Sequence, residues 1–313
     1  MAYEVSRAFR AMNTEVTAII VAEREREDEA ACALGRVETL FAEVEAALSR
    51  FRPESELSAL NRAAGAPFLA SPLLFEVVTL ALEAARATDG LFDPTVLGAL
   101  AAAGYDRSFE LLTADAASAH PPPPSAPGSW RDVRLDPARR IIHLPPGCGL
   151  DLGGIGKGWA VDQAVEALRP FGSFAVDAGG DLYAAGTQAD GSPWTVGVED
   201  PRDAERDLLV LAVRDRAVAT SSVARRRWRQ GGQERHHLID PRTGLPAESG
   251  VLSVTVVAGT VARAEVIAKV ALLLGPDEGW RFLDGQPDTS GLLVLADGQV
   301  ELSAGLGEAR HVA

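Results

Sequence analysis

The stretch that most constrains this chain is LDLGGIGKGWAVDQAVEAL, residues 150–168, in which four glycines fall within six residues and run straight into a helical pattern. Glycine permits a tight turn, and the bare backbone N–H groups at a helix start hold anions, phosphates above all. Lys157 adds a point charge and Asp151 a carboxylate at the rim. The stretch is not a Walker A sequence, which needs Lys-Ser/Thr after its last glycine. Nor is it a GxGxxG fingerprint inside a βαβ unit. Two readings remain open on these residues alone: an anion-binding turn, or simply a tight strand-to-helix connection.

At 313 residues with 47% hydrophobic content, the chain can bury a substantial core as one large or two closely packed domains. A formal net charge of −14 argues against a general nucleic-acid binder, because phosphate backbones attract basic surfaces. The two cysteines, Cys32 and Cys148, are too few for a disulfide framework and neither sits in a CxxC, so no thiolate metal site is expected. The first twenty residues, MAYEVSRAFRAMNTEVTAII, carry no basic segment followed by an unbroken apolar run. No stretch approaches the roughly 18 apolar residues that a membrane span needs. The expectation is a cytoplasmic protein without a membrane span.

Periodicity predicts a strand over Val16–Ala22, a long helix over Glu27–Ser49 and a second helix over Pro72–Thr88 that stops at Asp89-Gly90. Pro53 and the polar run Glu54–Asn61 read as a connection. HPPPPSAPGS, 120–129, reads as a surface loop or linker (placed at about 118–130) that does not divide two domains, so 1–313 is read as one domain. A helix over Lys157–Leu168 precedes strand-like pieces at 173–176, 182–185, 194–198 and 208–213. A strand at Leu252–Val257, the helix 261–275 and the hairpin GLLVLADGQVEL with its Asp297-Gly298 turn follow. The fold class is α+β with mixed and antiparallel sheets and packed helices.

Other stretches carry weaker signals. FAVDAGGDLYAAG (174–186) is explained by a hairpin turn at Gly179-Gly180, or by a backbone that passes close to something bulky. RHHLIDPRTGLPAE (235–248) has adjacent histidines that point to opposite faces if extended, so at most one faces a given site. RRRWRQGG (225–232) is a basic run read as a solvated strand or loop face, or as a contact for an acidic partner or phosphate. There is no GxSxG elbow and no HExxH.

The order of these stretches is more telling than any one of them. MNTEV (12–16), LSRFRPESELSALN (48–61), GLFDPTV (90–96), GYDRSF (104–109), DLGGIGKGWAVDQA (151–164), DAGGDLYAAG (177–186), ATSS (219–222), HHLIDPRTGLPA (236–247) and SVTVVAGTVARAEVIAKVALLLG (253–275) resemble the ApbE family, the FAD:protein FMN transferases. The resemblance covers about residues 8–300. It implies a two-lobed α+β fold with FAD in a cleft. It also implies that FMN passes from FAD to a Thr or Ser hydroxyl of an acceptor protein while AMP leaves. On the family pattern Met12, Phe51, Leu91, Phe92, Asp93, Asp151, Lys157 and Ile239 match FAD-contacting positions. His237 and Asp240 match the HxIDPxTG segment that borders the flavin and, with Lys269, are the catalytic candidates the resemblance implies. The chain departs at Asn13 and Ser222, where Gly is frequent, and at Phe51, where Tyr or Trp is usual.

The departure of most consequence lies in VARAEVIAKVALLLG, 261–275. The resemblance implies Mg²⁺ held by an Asp, a Thr and a backbone carbonyl from the glycine turn, here Gly154. In this chain the Asp is Glu265 and the Thr is Lys269. Glu can ligate a hard cation, but a protonated ammonium has no lone pair to offer. Three readings follow: Lys269 stands in for the cation and serves catalysis, Mg²⁺ binds through Glu265 and the FAD phosphates, or transfer is lost. A lost transfer leaves a flavin carrier or regulator, and hydrolysis of FAD would make the chain a pyrophosphatase. The plain alternative is an exposed i,i+4 pair worth about 0.2–0.5 kcal/mol.

Overall fold

The computed structural model describes residues 2–112, 129–306 and 310–311, so most of the Pro-rich loop expected at 118–130 lies outside the described residues. The chain divides into two compact units. Unit 1 comprises Met1–Glu43, Lys157–Ser222 and Gly250–Ala313, and unit 2 comprises Val44–Gly156 and Val223–Ser249.

Unit 1 is built on one eight-stranded sheet. Its strands, in spatial order, are β1 (Ala2–Ala11), β2 (Thr14–Glu23), β6 (Phe174–Ala178), β7 (Leu182–Ala185), β10 (Arg216–Ser222), β15 (Val251–Ala258), β16 (Ser290–Leu295) and β17 (Val300–Leu302). Every neighbouring pair is antiparallel. The alternation of β2 explains its place inside the sheet: Val16, Ala18, Ile20 and Ala22 are buried on one face. A second, three-stranded sheet of β8 (Trp194–Asp200), β9 (Asp203–Val213) and β18 (Arg310–His311) packs on the first. Trp194, Leu209 and Leu211 meet Leu182, Val218, Leu292 and Val294 there. Residues of opposite parity, Ala217, Ala219, Val254 and Val256, are equally buried. Helix α6 (Val261–Leu274) lies on β10 and β15, and α7 (Pro276–Asp284) follows it.

Helix α1 (Glu27–Leu48) places Ala30, Ala33, Leu34, Val37, Phe41 and Val44 on one buried face, which is why it forms. Phe41 packs edge-on to Phe9 of β1, with ring centroids 5.6 Å apart. Helix α5 (Gly156–Leu168) starts as the glycine turn ends.

Unit 2 contains α2 (Glu56–Arg62), α3 (Pro72–Ala87), α4 (Leu97–Ala102) and a small antiparallel sheet. Its strands are β3 (Pro67–Leu69), β5 (Ile141–His143) and β4 (Arg134–Asp136), in that order. Two hairpins complete it: β11 (Arg227–Gln230) with β12 (Gln233–His236), and β13 (Ile239–Asp240) with β14 (Leu245–Pro246). Ser71 caps α3 by accepting the Leu74 N–H, and Pro72 occupies the first turn where no N–H is needed.

Two expectations are corrected here. The run Glu54–Asn61 is largely helix α2, because Ser55 caps it through the Ser58 N–H and Leu57 and Leu60 bury its apolar side. The basic run 225–232 is more than a solvated face, since Trp228 is buried, donates to the Ala103 carbonyl at 2.8 Å and packs on Tyr105. The fold class, α+β with antiparallel sheets, is as expected. Among the described residues no helix is long and apolar enough to cross a membrane.

Candidate active site

Within unit 1 the chemistry gathers where two hairpin turns and two helices converge. The β1–β2 turn is Met12-Asn13, both in the left-handed region with φ of 52° and 60°. Two residues of positive φ make the tight turn whose twist matches flanking antiparallel strands. Asn tolerates that backbone, but Met does so at a cost, of the kind found at binding sites. The β6–β7 turn is Gly179-Gly180. A side-chain carbon on Gly179 would fall 2.0 Å from Thr14 Oγ1, so this glycine serves both the turn and the close approach of its neighbour.

Asp181, directly after that turn, is buried and is hydrogen-bonded by the ammonium of Lys157. Lys157 also reaches Glu265 Oε1 at 3.4 Å, and the Gly158 N–H donates to Glu265 Oε2 at 3.1 Å. Glu265 is 6% exposed, which removes the reading of residue 265 as half of a solvated surface pair. Lys269, one turn further along α6, is half-buried.

Two more carboxylates flank this group. Asp162 accepts the N–H groups of Val261 and Ala262, at 2.8 and 3.0 Å, and so caps the start of α6. Burial pushes its carboxyl up to about 6 in spite of those two bonds. Asp177 is likewise raised by burial, opposed by the Gly180 N–H and by the charge of Lys157.

Unit 2 holds a different constellation. The Leu152 carbonyl accepts the N–H of Ile155 and of Gly156, closing the glycine turn in which Gly154 is buried. Asp151 accepts the Gly153 N–H at 3.0 Å and pairs with Arg50 Nε at 2.5 Å. Arg50, with 7% of its side chain exposed, lies over the Phe51 and Tyr105 rings at 4.1 and 4.5 Å and donates to the Tyr105 carbonyl. Its second terminal nitrogen is buried with no partner among the described residues. Burial raises the Tyr105 hydroxyl's pKa.

The Asp151 N–H bonds to the Pro94 carbonyl, which ties the Leu91-Phe92-Asp93 segment to this point. Asp93 itself accepts the N–H and hydroxyl of Thr95 at 2.7 and 2.6 Å, so its carboxylate builds the turn before α4. Ile239 is buried in the cluster of Tyr105 and Trp228, against which Phe51 packs. Asp240 grips Arg242 at 2.8–2.9 Å while its carbonyl closes the turn at Gly244. His237 is half-buried beside His236. The His236 ring is neutral with its proton on Nε2, because Nδ1 accepts the Leu238 N–H and Nε2 faces the Ala247 carbonyl. Burial lowers its pKa accordingly.

Unit 1 thus brings Lys157, Asp181 and Glu265 together, with Lys269 one turn further along α6 and the Met12 turn beside the glycine pair that precedes Asp181. Unit 2 brings Phe51 and Asp151 together through Arg50. Sequence reasoning missed Asp181, Arg50 and Tyr105. The signals were present: an acid directly after Gly-Gly in an apolar hairpin, and a basic residue beside an aromatic one.

The donor set at Glu265 does not fit Mg²⁺, which demands a near-octahedral shell of oxygens. Both Glu265 oxygens already face N–H donors, and the next position offers an amine. Among the described residues no three His, Cys, Asp or Glu side chains form a group able to hold a metal.

A family profile, that of the ApbE family, matches residues 12–293. The FAD:protein FMN transferase of Treponema pallidum (strain Nichols) is 34% identical over 298 residues, covering 88% of this chain and 80% of that one. The enzyme of the same name from Vibrio cholerae is 29% identical over 78% of this chain and 73% of its own. Among solved structures, the ApbE protein of Thermotoga maritima superposes with a TM-score of 0.83 at 25% identity over 97% of both chains. The flavin transferase ApbE of Vibrio cholerae gives 0.79 at 24% identity, over 98% of this chain and 99% of that one, a likeness of fold. The chain belongs to the ApbE family.

Proposed function

We propose that this protein transfers FMN from FAD to a Thr or Ser hydroxyl of an acceptor protein and releases AMP. The observation that carries the reading is the 34% identity to the Treponema pallidum FAD:protein FMN transferase across 88% of the chain. In the reaction the acceptor oxygen attacks the FMN-side phosphorus of the FAD diphosphate. The bond from that phosphorus to the bridging oxygen breaks, AMP leaves with that oxygen, and the hydroxyl proton is released. Such a transfer asks the protein for positioning and for neutralisation of spreading negative charge more than for covalent help.

In unit 1 we assign FAD contact to Met12 and Lys157. In unit 2 we assign it to Phe51, Leu91, Phe92, Asp93, Asp151 and Ile239, with His237 and Asp240 beside the flavin. Phe51 supplies an aromatic face backed by Tyr105, and Asp151 a carboxylate fixed by Arg50. Asp240 acts by holding the turn, since both of its oxygens are taken by Arg242.

The test is incubation with FAD, Mg²⁺ and a peptide bearing an acceptor threonine, followed by mass measurement and chromatography of the nucleotides. The expected result is an FMN adduct with stoichiometric AMP. AMP without adduct would make the chain a pyrophosphatase, and bound FAD with neither product would make it a carrier or regulator.

A further inference from the structure

We propose that the two lysines of the unit 1 cluster, Lys157 and Lys269, balance its two buried carboxylates, so that the site holds, and the reaction needs, no divalent cation. The proposal rests on the FMN-transfer reading above. Its ground is the charge pattern around Glu265. Lys157 touches two buried carboxylates, Asp181 and Glu265, and one ammonium cannot neutralise both. Lys269 follows Glu265 by four residues on α6, and this spacing puts a second positive charge on the helix face that carries Glu265. Two ammonium groups then stand against the two carboxylates that Lys157 touches. The flanking acids are met separately, Asp162 by the N–H groups of Val261 and Ala262 and Asp177 by that of Gly180.

A divalent ion has no place in this arrangement. Bound to Glu265 at about 2 Å, it would share an oxygen with the Gly158 N–H or stand close to the Lys157 ammonium, 3.4 Å from Oε1. Like charges that close repel strongly where water is excluded. With a neutral residue at 269 the cluster would instead carry one net negative charge, which invites a cation. The Glu265/Lys269 combination therefore replaces an exchangeable ion with a tethered one.

The experiment uses the full chain stripped with EDTA. Mn²⁺ binding is read by electron paramagnetic resonance with FAD present, and AMP release is read in EDTA and in Mg²⁺. The expected result is no stoichiometric Mn²⁺ and AMP release that agrees within about twofold between the two buffers, a difference too small to signal a lost cation. The double variant Glu265→Asp with Lys269→Thr is expected to bind one Mn²⁺ and to lose about tenfold or more in EDTA, with recovery in Mg²⁺. One Mn²⁺ bound per wild-type chain, or wild-type AMP release that collapses in EDTA and returns with Mg²⁺, overturns the proposal. Should no AMP form in either buffer, the transferase reading fails while the Mn²⁺ titration still decides the question of the metal. The wild-type measurements stand even if the double variant does not fold.

Discussion

Gly158 of α5 lies directly against Ala262 of α6: a side-chain carbon on Gly158 would sit 2.6 Å from the Ala262 Cα and 2.7 Å from its nitrogen. The two helices can approach that closely only because residue 158 has no side chain, and the approach lets the Gly158 N–H reach Glu265. Gly158→Ala should therefore destabilise the protein. The better helix propensity of Ala contributes at most about 1 kcal/mol. The clash is with backbone, which cannot rotate away, and overpacking of this kind costs about 1–3 kcal/mol or more. Urea denaturation will show the loss, and an unchanged or raised midpoint would refute the close-approach argument.

Asp162 gives unit 1 a pH dependence. Its carboxyl is raised to about 6 by burial, above the usual carboxylate range, so the folded chain holds a proton the unfolded chain has already lost. The contribution of this group to stability is thus greatest below about pH 4 and declines as pH rises through about 6. Asp162→Asn cannot titrate. Between pH 4 and pH 7 the stability difference should move in favour of the variant by about 1–3 kcal/mol. Urea midpoints measured across that range test it, and a flat difference contradicts the assignment.

Arg50 and Asp151 form a buried pair, and the partner left behind suffers most when one is removed. Arg50→Met should cost about 2–4 kcal/mol, because Asp151 is then left without its counter-charge. Arg50→Lys keeps the charge but loses the planar stacking on Phe51 and Tyr105, and should fall between. The double variant Arg50→Met with Asp151→Leu should recover a large part of the loss. Thermal melts of the wild type, Arg50→Met, Asp151→Leu and their double variant decide it, and simple addition of the two single losses would mean the pair is uncoupled.

How far the sequence could be read depended on how much packing each element needs to declare itself. Helices α1 and α3 were legible because a long apolar stripe recurs at helical spacing, and the Asp297-Gly298 hairpin because its turn chemistry is local. Helix α2 was hidden by its polar surface and seven-residue length, although Ser55 marks its cap. Strand β1 carries only a shallow alternation, Tyr3, Val5, Phe9 and Ala11 between exposed neighbours, because as an edge strand it buries Ala11 alone. Motif order exposed the candidate site, and Glu265 and Lys157 were picked out one by one. Their mutual contact was not legible, nor was Asp181 as the second acid, because residues 157, 181 and 265 meet only once the antiparallel sheet has brought their elements together. The same holds for Arg50, which is an ordinary basic residue until Asp151 closes on it.

Met12 offers a test of strain held for binding. Its φ of 52° places a flexible apolar side chain in a backbone region that costs a non-glycine residue about 1–2 kcal/mol. Met12→Gly removes that cost and adds the extra chain entropy glycine loses on folding, about 0.5–1 kcal/mol. The two nearly cancel, with relief the larger. Stability should hold or rise by up to about 1 kcal/mol. If the Met12 side chain contacts FAD as assigned, the same change should weaken FAD binding severalfold, as read by quenching of flavin fluorescence. A variant that loses stability as well as affinity would show that Met12 is there for packing. A variant that keeps its FAD affinity would remove Met12 from the flavin site.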